Sequence, residues 1–202
     1  MVVDDIVFDP EDHTYCAKGR QLSGITGITA WRCGMHFPVR GSDKVPDFLA
    51  DACEHGTDVH DAVSRALLTR VFPSRREDEA RWVVRHMLGM YGRNTEFKSE
   101  WLVSDLANLA SCIDIAVPLG DGQYDIYDIK TGKYHMDYCS LQLGFYKWML
   151  KVSRGFGVRS CGVIASGDRM VYPVIPADEG YVQDTVRKYF MIPWHRMPGG
   201  NV

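Results

Sequence analysis

A chain of 202 residues with 46% hydrophobic and 24% charged content has the make-up of a globular protein of one ordinary domain, with enough apolar mass to bury a real core. No apolar run approaches the ~20 residues of a membrane span, and the opening MVVDDIVFD is acidic rather than basic-then-apolar, so neither a membrane anchor nor a signal peptide is expected, and an intracellular protein is. A formal net charge of −3 excludes coating of nucleic acid by bulk charge, and six cysteines without a C-x-x-C pair argue for reduced thiols and against a zinc or iron–sulfur cluster.

Residues Ile6 to Cys16 alternate loosely around PEDH and predict a small hairpin, after which Leu22-Ser23-Gly24-Ile25-Thr26 leads into a short helix or a loop. Glycine, proline and charge between Gly34 and Pro46 mark a connection. From Pro46 the period turns helical: Phe48, Leu49, Ala52 and Cys53, then Val59, Ala62, Val63, Ala66 and Leu67 recur three or four apart. Gly56 costs such a helix about 1 kcal/mol relative to alanine, which predicts close approach by another segment. His60 falls on or beside the buried stripe, where an imidazole is either a core group bonded to a backbone carbonyl or a metal ligand, while Asp58 and Asp61 point to solvent.

Pro73 opens a second predicted helix, with Glu77 to Glu79 in its first turns, Trp82, Val83, Met87 and Leu88 on its apolar stripe, and Gly89 to Gly92 at its end. Its Arg75, Arg76, Arg81 and Arg85 read as a solvated face or as contacts to a nucleic-acid backbone. Phe97 to Val103 reads as a strand with Phe97, Trp101 and Val103 on one side and Lys98, Glu100 and Leu102 on the other.

The next two segments carry the acids. In LASCIDIAVPLGDGQ, period two places Ala110, Cys112, Asp114 and Ala116 on one face and Ser111, Ile113, Ile115 and Val117 on the other. Pro118 to Gln123 supplies a turn, with Asp121-Gly122 its most turn-prone pair, and YDIYDIKTGK (Tyr124 to Lys133) is the returning arm. There Asp128 and Lys130 share a face with Tyr124 and Ile126, opposite Tyr127 and Ile129. With both faces covered, an unpaired Asp128 costs several kcal/mol, so it must be neutralised by Lys130 or by a metal ion. Should Asp114 and Asp128 converge to ~4 Å, their repulsion is about 4 kcal/mol at an effective dielectric of about 20, and a divalent cation removes it. Taken alone, D-x-K is an ordinary salt bridge and Asp114 a turn cap.

A helix from about Asp137 to Val152 stacks Gln142 and Tyr146 on one face beside Phe145 and Met149, a pattern that by itself describes an amphipathic helix with a half-buried tyrosine. Val158 to Ala165 is a strand, Met170 to Ile175 its hairpin partner, and Glu179 to Phe190 a final helix before the irregular tail PWHRMPGGNV. Cys112 and Cys161, in strand-like runs, read as small buried hydrophobes.

The order HGTDVH on a helix, Glu100 on a strand, Asp114, Asp128-Ile129-Lys130, then Gln142-x-x-x-Tyr146 on a helix resembles the PD-(D/E)XK nuclease superfamily, with the RecB-type and phage exonuclease branch the nearest look. The match spans roughly Glu54 to Leu150, and FDPEDHTYCAKGRQLSGITGIT is similar to the lead-in of phage members, although LSGITGIT departs from their serine-valine-threonine run. The cysteine set of the iron–sulfur members is missing, so a cluster-free enzyme is expected. The resemblance implies an α/β fold with a central mixed β-sheet flanked by helices, a restriction-endonuclease-like core over 46–192 with 1–45 as an N-terminal elaboration of the same domain.

It also implies roles. His60, Asp114 and Asp128 would be metal ligands with the Ile129 carbonyl, for Mg²⁺ or Mn²⁺ as the hard cation their donors suit. Lys130 would orient the attacking water and stabilise charge on the phosphate. Glu100 would reach the metal directly or through water, and Gln142 and Tyr146 would position the DNA backbone or support Lys130. The implied activity is metal-dependent hydrolysis of DNA phosphodiester bonds, most naturally by an exonuclease of phage or bacterial recombination and repair acting in the cytoplasm. Homo-oligomers and a recombination partner protein are compatible with it. The rival is a catalytically inactive DNA-binding or scaffold protein that retains the fold; a sequence-specific endonuclease would need a recognition region that the sequence does not show.

Overall fold

Eight strands and five helices are present in the computed structural model, which describes residues 6–9, 14–35 and 47–191. The PEDH turn, most of the 34–46 connection, the side chains of Phe48 and Leu49 and the PWHRMPGGNV tail lie outside the described residues. In chain order the elements are β1 (Ile6–Asp9), β2 (Thr14–Ala17), β3 (Arg20–Gly24), α1 (Ile25–Arg32), α2 (Asp47–Thr69), α3 (Asp78–Tyr91), β4 (Lys98–Ser104), β5 (Leu109–Gly120), β6 (Gln123–Lys130), α4 (Met136–Arg154), β7 (Gly157–Ala165), β8 (Met170–Pro173) and α5 (Glu179–Met191). The class is α/β with a mixed sheet flanked by helices, as the sequence predicts.

The long strand β5 organises the sheet. Antiparallel β4 runs along one of its edges from Ala110 to Ala116, so the opposite edge is divided between two partners. Antiparallel β6 pairs with Ile115 to Gly120, and parallel β3 pairs with Leu109 and Ala110. Beyond β6 come parallel β7 and antiparallel β8, and beyond β3 the antiparallel β2 and β1. Pairing of β5 with β6 stops at Ile115 and Tyr127, so the two strands part just where Asp114 and Asp128 face the opening.

Each face of the sheet is closed by helices of matching period. Tyr124 and Ile126 of β6 join Ile28 of α1, Phe145 and Met149 of α4 and Val182 of α5 on one side. Tyr127 and Ile129 join Val59, Val63 and Leu67 of α2 and Val83 and Met87 of α3 on the other. Each fully buried side chain of this size is worth about 1.5–3 kcal/mol relative to leaving it in water.

Three local expectations need correction. Strict alternation fails at Asp114: Ile113 packs with the α4 side and Ile115 with the α2–α3 side, although both were expected on one face. The same switch occurs across the ladder, where Phe97 lies on the α2–α3 side and Trp101 and Val103 on the α4 side. Glu100 between them has φ +47°, a left-handed backbone that breaks the pleat. Second, α3 starts at Asp78 rather than Pro73, because Ser74 to Glu77 form a turn in which Ser74 N donates to Glu77 Oε2 at 2.7 Å; its end, at Tyr91 with Gly92 as the cap, falls where expected. Third, the β5–β6 turn is only Asp121-Gly122, with φ of +50° and +70°, since Pro118 to Gly120 still belong to β5.

Candidate metal centre

The parted ends of β5 and β6 receive one side chain from α2 and one from β4. His60 Nδ1 lies 3.4 Å from Glu100 Oε1 and 3.7 Å from Asp114 Oδ2, and the ligand atoms of these three residues all fall within 4.8 Å of one another. Gly56, one turn before His60, lies beside the loop after β6: a Cβ there would sit 3.4 Å from Thr131 Oγ1, an ordinary contact. The segment that approaches that glycine is thus the one that follows Lys130.

Asp114 does more than point at the cluster. Its Oδ2 accepts the Ile129 N–H at 2.6 Å, and the Ser99 hydroxyl donates to its backbone carbonyl at 2.7 Å. The carboxylate therefore replaces the ladder bond that β5 and β6 lose where they separate. His60 Nε2 is 3.3 Å from the Ile129 carbonyl, so the neutral tautomer with its hydrogen on Nε2 donates there and turns the Nδ1 lone pair toward the two carboxylates. Ile129 thus orients His60 through its carbonyl.

Asp128 stands beside this cluster, outside the group of three. Its side chain is 1% exposed, and Oδ2 lies 2.7 Å from Lys130 Nζ in a buried ion pair. Lys130 Nζ donates to Gln142 Oε1 at 3.0 Å, and Gln142 Nε2 donates to the Tyr146 hydroxyl at 2.8 Å. Gln142 and Tyr146 are both buried, at 7% and 2% exposure, and their chain of bonds runs to Lys130 rather than out to solvent.

The electrostatics follow from these distances. Burial lowers the affinity of His60 for a proton, but Asp114, then Glu100 and Asp128, outweigh it and raise its pKa to about 9. Burial pushes the Asp128 carboxyl up to about 6, against the pull of Lys130 and with the push of Asp114. Asp114 is raised by burial despite His60. Lys130 is raised by Asp128 and Asp114 in spite of burial. Without a metal, the His60 imidazolium for Asp114 and the Lys130 ammonium for Asp128 are the cations that offset the buried acids.

That makes a stability test. A raised folded-state pKa contributes stability that is full below the unfolded value and lost as pH rises through the folded one. Without metal, the His60 contribution is therefore lost between pH 6.5 and about 9. Melting in EDTA is expected to fall across that range in the wild type and less in His60→Gln, and Mn²⁺ is expected to abolish the fall. Parallel curves for the two proteins would remove His60 from the linkage.

Glu100 offers a second test through its backbone. A non-glycine residue at φ +47° carries about 1 kcal/mol of strain that glycine does not. Glu100→Gly is expected to be more stable than Glu100→Ala by about that amount, while both weaken cation binding. Equal unfolding midpoints would mean that the conformation is unstrained.

Sequence reasoning does not find the contacts that fix the end of β6. Ser166 N donates to the Lys130 carbonyl at 3.0 Å, Ser166 Oγ donates to Glu79 Oε2 at 2.6 Å, and His55 Nε2 is 3.0 Å from Glu79 Oε1. The other histidine of HGTDVH thus braces the loop outside the cluster. Asp125, the first acid of YDIYDIK, is also missed: it is fully buried on the Tyr127 side and held by Arg159, Ser160 and Tyr91. No local signal marks these contacts, since each joins segments at least 24 residues apart. Comparison with known proteins assigns the site to no family: no family model matches the chain, and no curated protein does.

Proposed function

We propose that this protein is a metal-dependent nuclease of the PD-(D/E)XK type that hydrolyses DNA phosphodiester bonds. The observation that carries the reading is the convergence of His60, Glu100 and Asp114 at a strand opening that also presents the Asp128–Lys130 pair. An imidazole nitrogen and the carboxylate oxygens of Glu100 and Asp114 form a hard donor set that fits Mg²⁺ or Mn²⁺. When bound, such a cation supplies positive charge against the phosphate oxygens and acidifies the attacking water.

The chain's own groups supply the rest. Lys130, anchored by Gln142 and Asp128, presents a compact charge on a fixed stem to a phosphate oxygen and to the incoming water. The Gln142–Tyr146 bond sets which end of the amide faces Lys130, so the acceptor oxygen stays turned to the ammonium. Asp114 keeps the strands open by occupying the Ile129 N–H, and His60 is steered by the Ile129 carbonyl. An exonuclease of recombination or repair is the version that the sequence resemblance favours.

The test is incubation of the purified protein with end-labelled linear and closed circular DNA in Mg²⁺, Mn²⁺ or EDTA. Metal-dependent loss of the linear substrate alone is the expected result, and inert DNA in all three buffers would leave the retained fold without the enzyme. In parallel, His60→Ala is expected to shift the Mn²⁺ titration of activity at least tenfold to higher concentration, and an unchanged titration would take His60 out of the ligand set.

A further inference from the structure

Away from the metal centre, the C-terminal halves of α2 and α3 and the loop after α3 enclose a groove of about 930 Å³. Its apolar floor is formed by Ala66 and Val84, with Leu88 half-buried beside them. Phe72, 41% exposed, forms one wall, and Leu68 and Val71 extend the exposed apolar surface next to it. Arg70, Arg85 and Arg93 stand around the opening. Ala66, the lining residue on α2, lies about 9 Å along that helix from His60 at about 1.5 Å per residue, and no lining residue belongs to the metal centre.

Three observations say what fits it. Arg70, Arg85 and Arg93 outnumber Glu96, the one acid among the lining residues, so the lining carries a net positive charge. The guanidinium groups of Arg81 and Arg85 already lie over the Phe72 ring, 5.1 and 5.8 Å from its centroid, which occupies the aromatic surface that a nucleobase would need for stacking. Gly89, inside α3, faces open space: a Cβ there would meet nothing within 4 Å, and its φ is not in the left-handed region. A glycine in the last turn of a helix costs up to about 1 kcal/mol relative to alanine, and neither packing nor backbone geometry requires it here.

We infer that this groove binds an acidic peptide segment of a partner protein, with large apolar side chains on the floor and carboxylates against Arg85 and Arg93. A volume of about 930 Å³ accommodates a few side chains, and the pairing of an apolar floor with a cationic opening matches an acidic-hydrophobic segment better than a uniformly charged polyanion. The inference is independent of the nuclease reading, because none of these residues belongs to the metal centre.

The probe is a fluorescein-labelled heptapeptide of aspartates and glutamates around a central leucine and phenylalanine, titrated with the full chain and followed by anisotropy. A second peptide carries serine in place of the two apolar residues, and a labelled oligothymidylate of similar charge is the third probe. Saturable binding of the first peptide is expected, at least tenfold tighter than the serine peptide, and weakened at least tenfold by combined Arg85→Glu and Arg93→Glu. Gly89→Ala is expected to retain binding and Gly89→Leu, which fills the groove, to lose it at least tenfold. Neither is expected to lower the melting temperature or the Mn²⁺ affinity, and Gly89→Ala is expected to raise the melting temperature, so a loss of binding would not be unfolding. Failure of the peptide to saturate, the same affinity in the arginine and leucine variants, or preferential binding of oligothymidylate that these variants abolish would each overturn the assignment.

Discussion

Lys130→Ala and Asp128→Asn are both expected to lower metal-dependent cleavage of DNA by at least a hundredfold, and to differ sharply in stability. The shared loss follows from what each removes: the compact charge beside the metal centre, or the buried carboxylate that pairs with it. The difference follows from burial. Asp128 is 1% exposed, so removing Lys130 leaves an almost unpaired carboxylate in the interior, a defect of several kcal/mol that protonation relieves. Because Asp128 already titrates near 6 with its partner present, Lys130→Ala is expected to melt close to wild type at acidic pH and progressively lower above neutrality. Asp128→Asn removes a charge that Asp114 repels and leaves Lys130 bonded to Gln142, so its melting is expected to stay near wild type across that range. Thermal melts at two pH values, run with cleavage assays, check both parts. Wild-type-like turnover in either variant would refute the catalytic assignment, and a pH-independent melt of Lys130→Ala would refute the account of the buried pair.

Asp114 is expected to show the second-largest effect, because one carboxylate serves both the fold and the cation. Asp114→Asn keeps an oxygen to accept the Ile129 N–H but loses the charge, so it is expected to stay folded while losing most Mn²⁺ affinity. Asp114→Ala also orphans that buried N–H, which costs about 1–3 kcal/mol more. The asparagine variant should in addition lose much of the alkaline decline in metal-free stability, since Asp114 is the strongest of the charges that raise His60. Calorimetric Mn²⁺ titration and chemical unfolding of the two variants separate these effects. Equal unfolding free energies for asparagine and alanine would show that the Ile129 bond is not structural, and undiminished Mn²⁺ binding would show that Asp114 is not a ligand.

The hairpin of β5 and β6, the shared face of Asp128 and Lys130 and the four-residue spacing of Gln142 and Tyr146 are all legible in the sequence. They are consequences of backbone geometry over a few residues: period two in a strand and 3.6 in a helix hold whatever the rest of the chain does. The start of α3 was not legible, because the Ser74–Glu77 turn competes with a proline that is a good first helical residue. Nor was the break in alternation at Asp114, since it depends on the left-handed Glu100 of a neighbouring strand.

By itself, then, the sequence determined which residues carry donors and which element displays each of them. Only the tertiary structure decided that His60, Glu100 and Asp114 form the converging group while Asp128 pairs with Lys130, that His55 and Ser166 brace the loop after β6, and that Arg70, Arg85 and Arg93 border one groove. The reason is distance along the chain. His60 and Ile129 are 69 residues apart, and their contact is set by how α2 packs across the sheet and how far β5 and β6 part, neither of which any local period encodes.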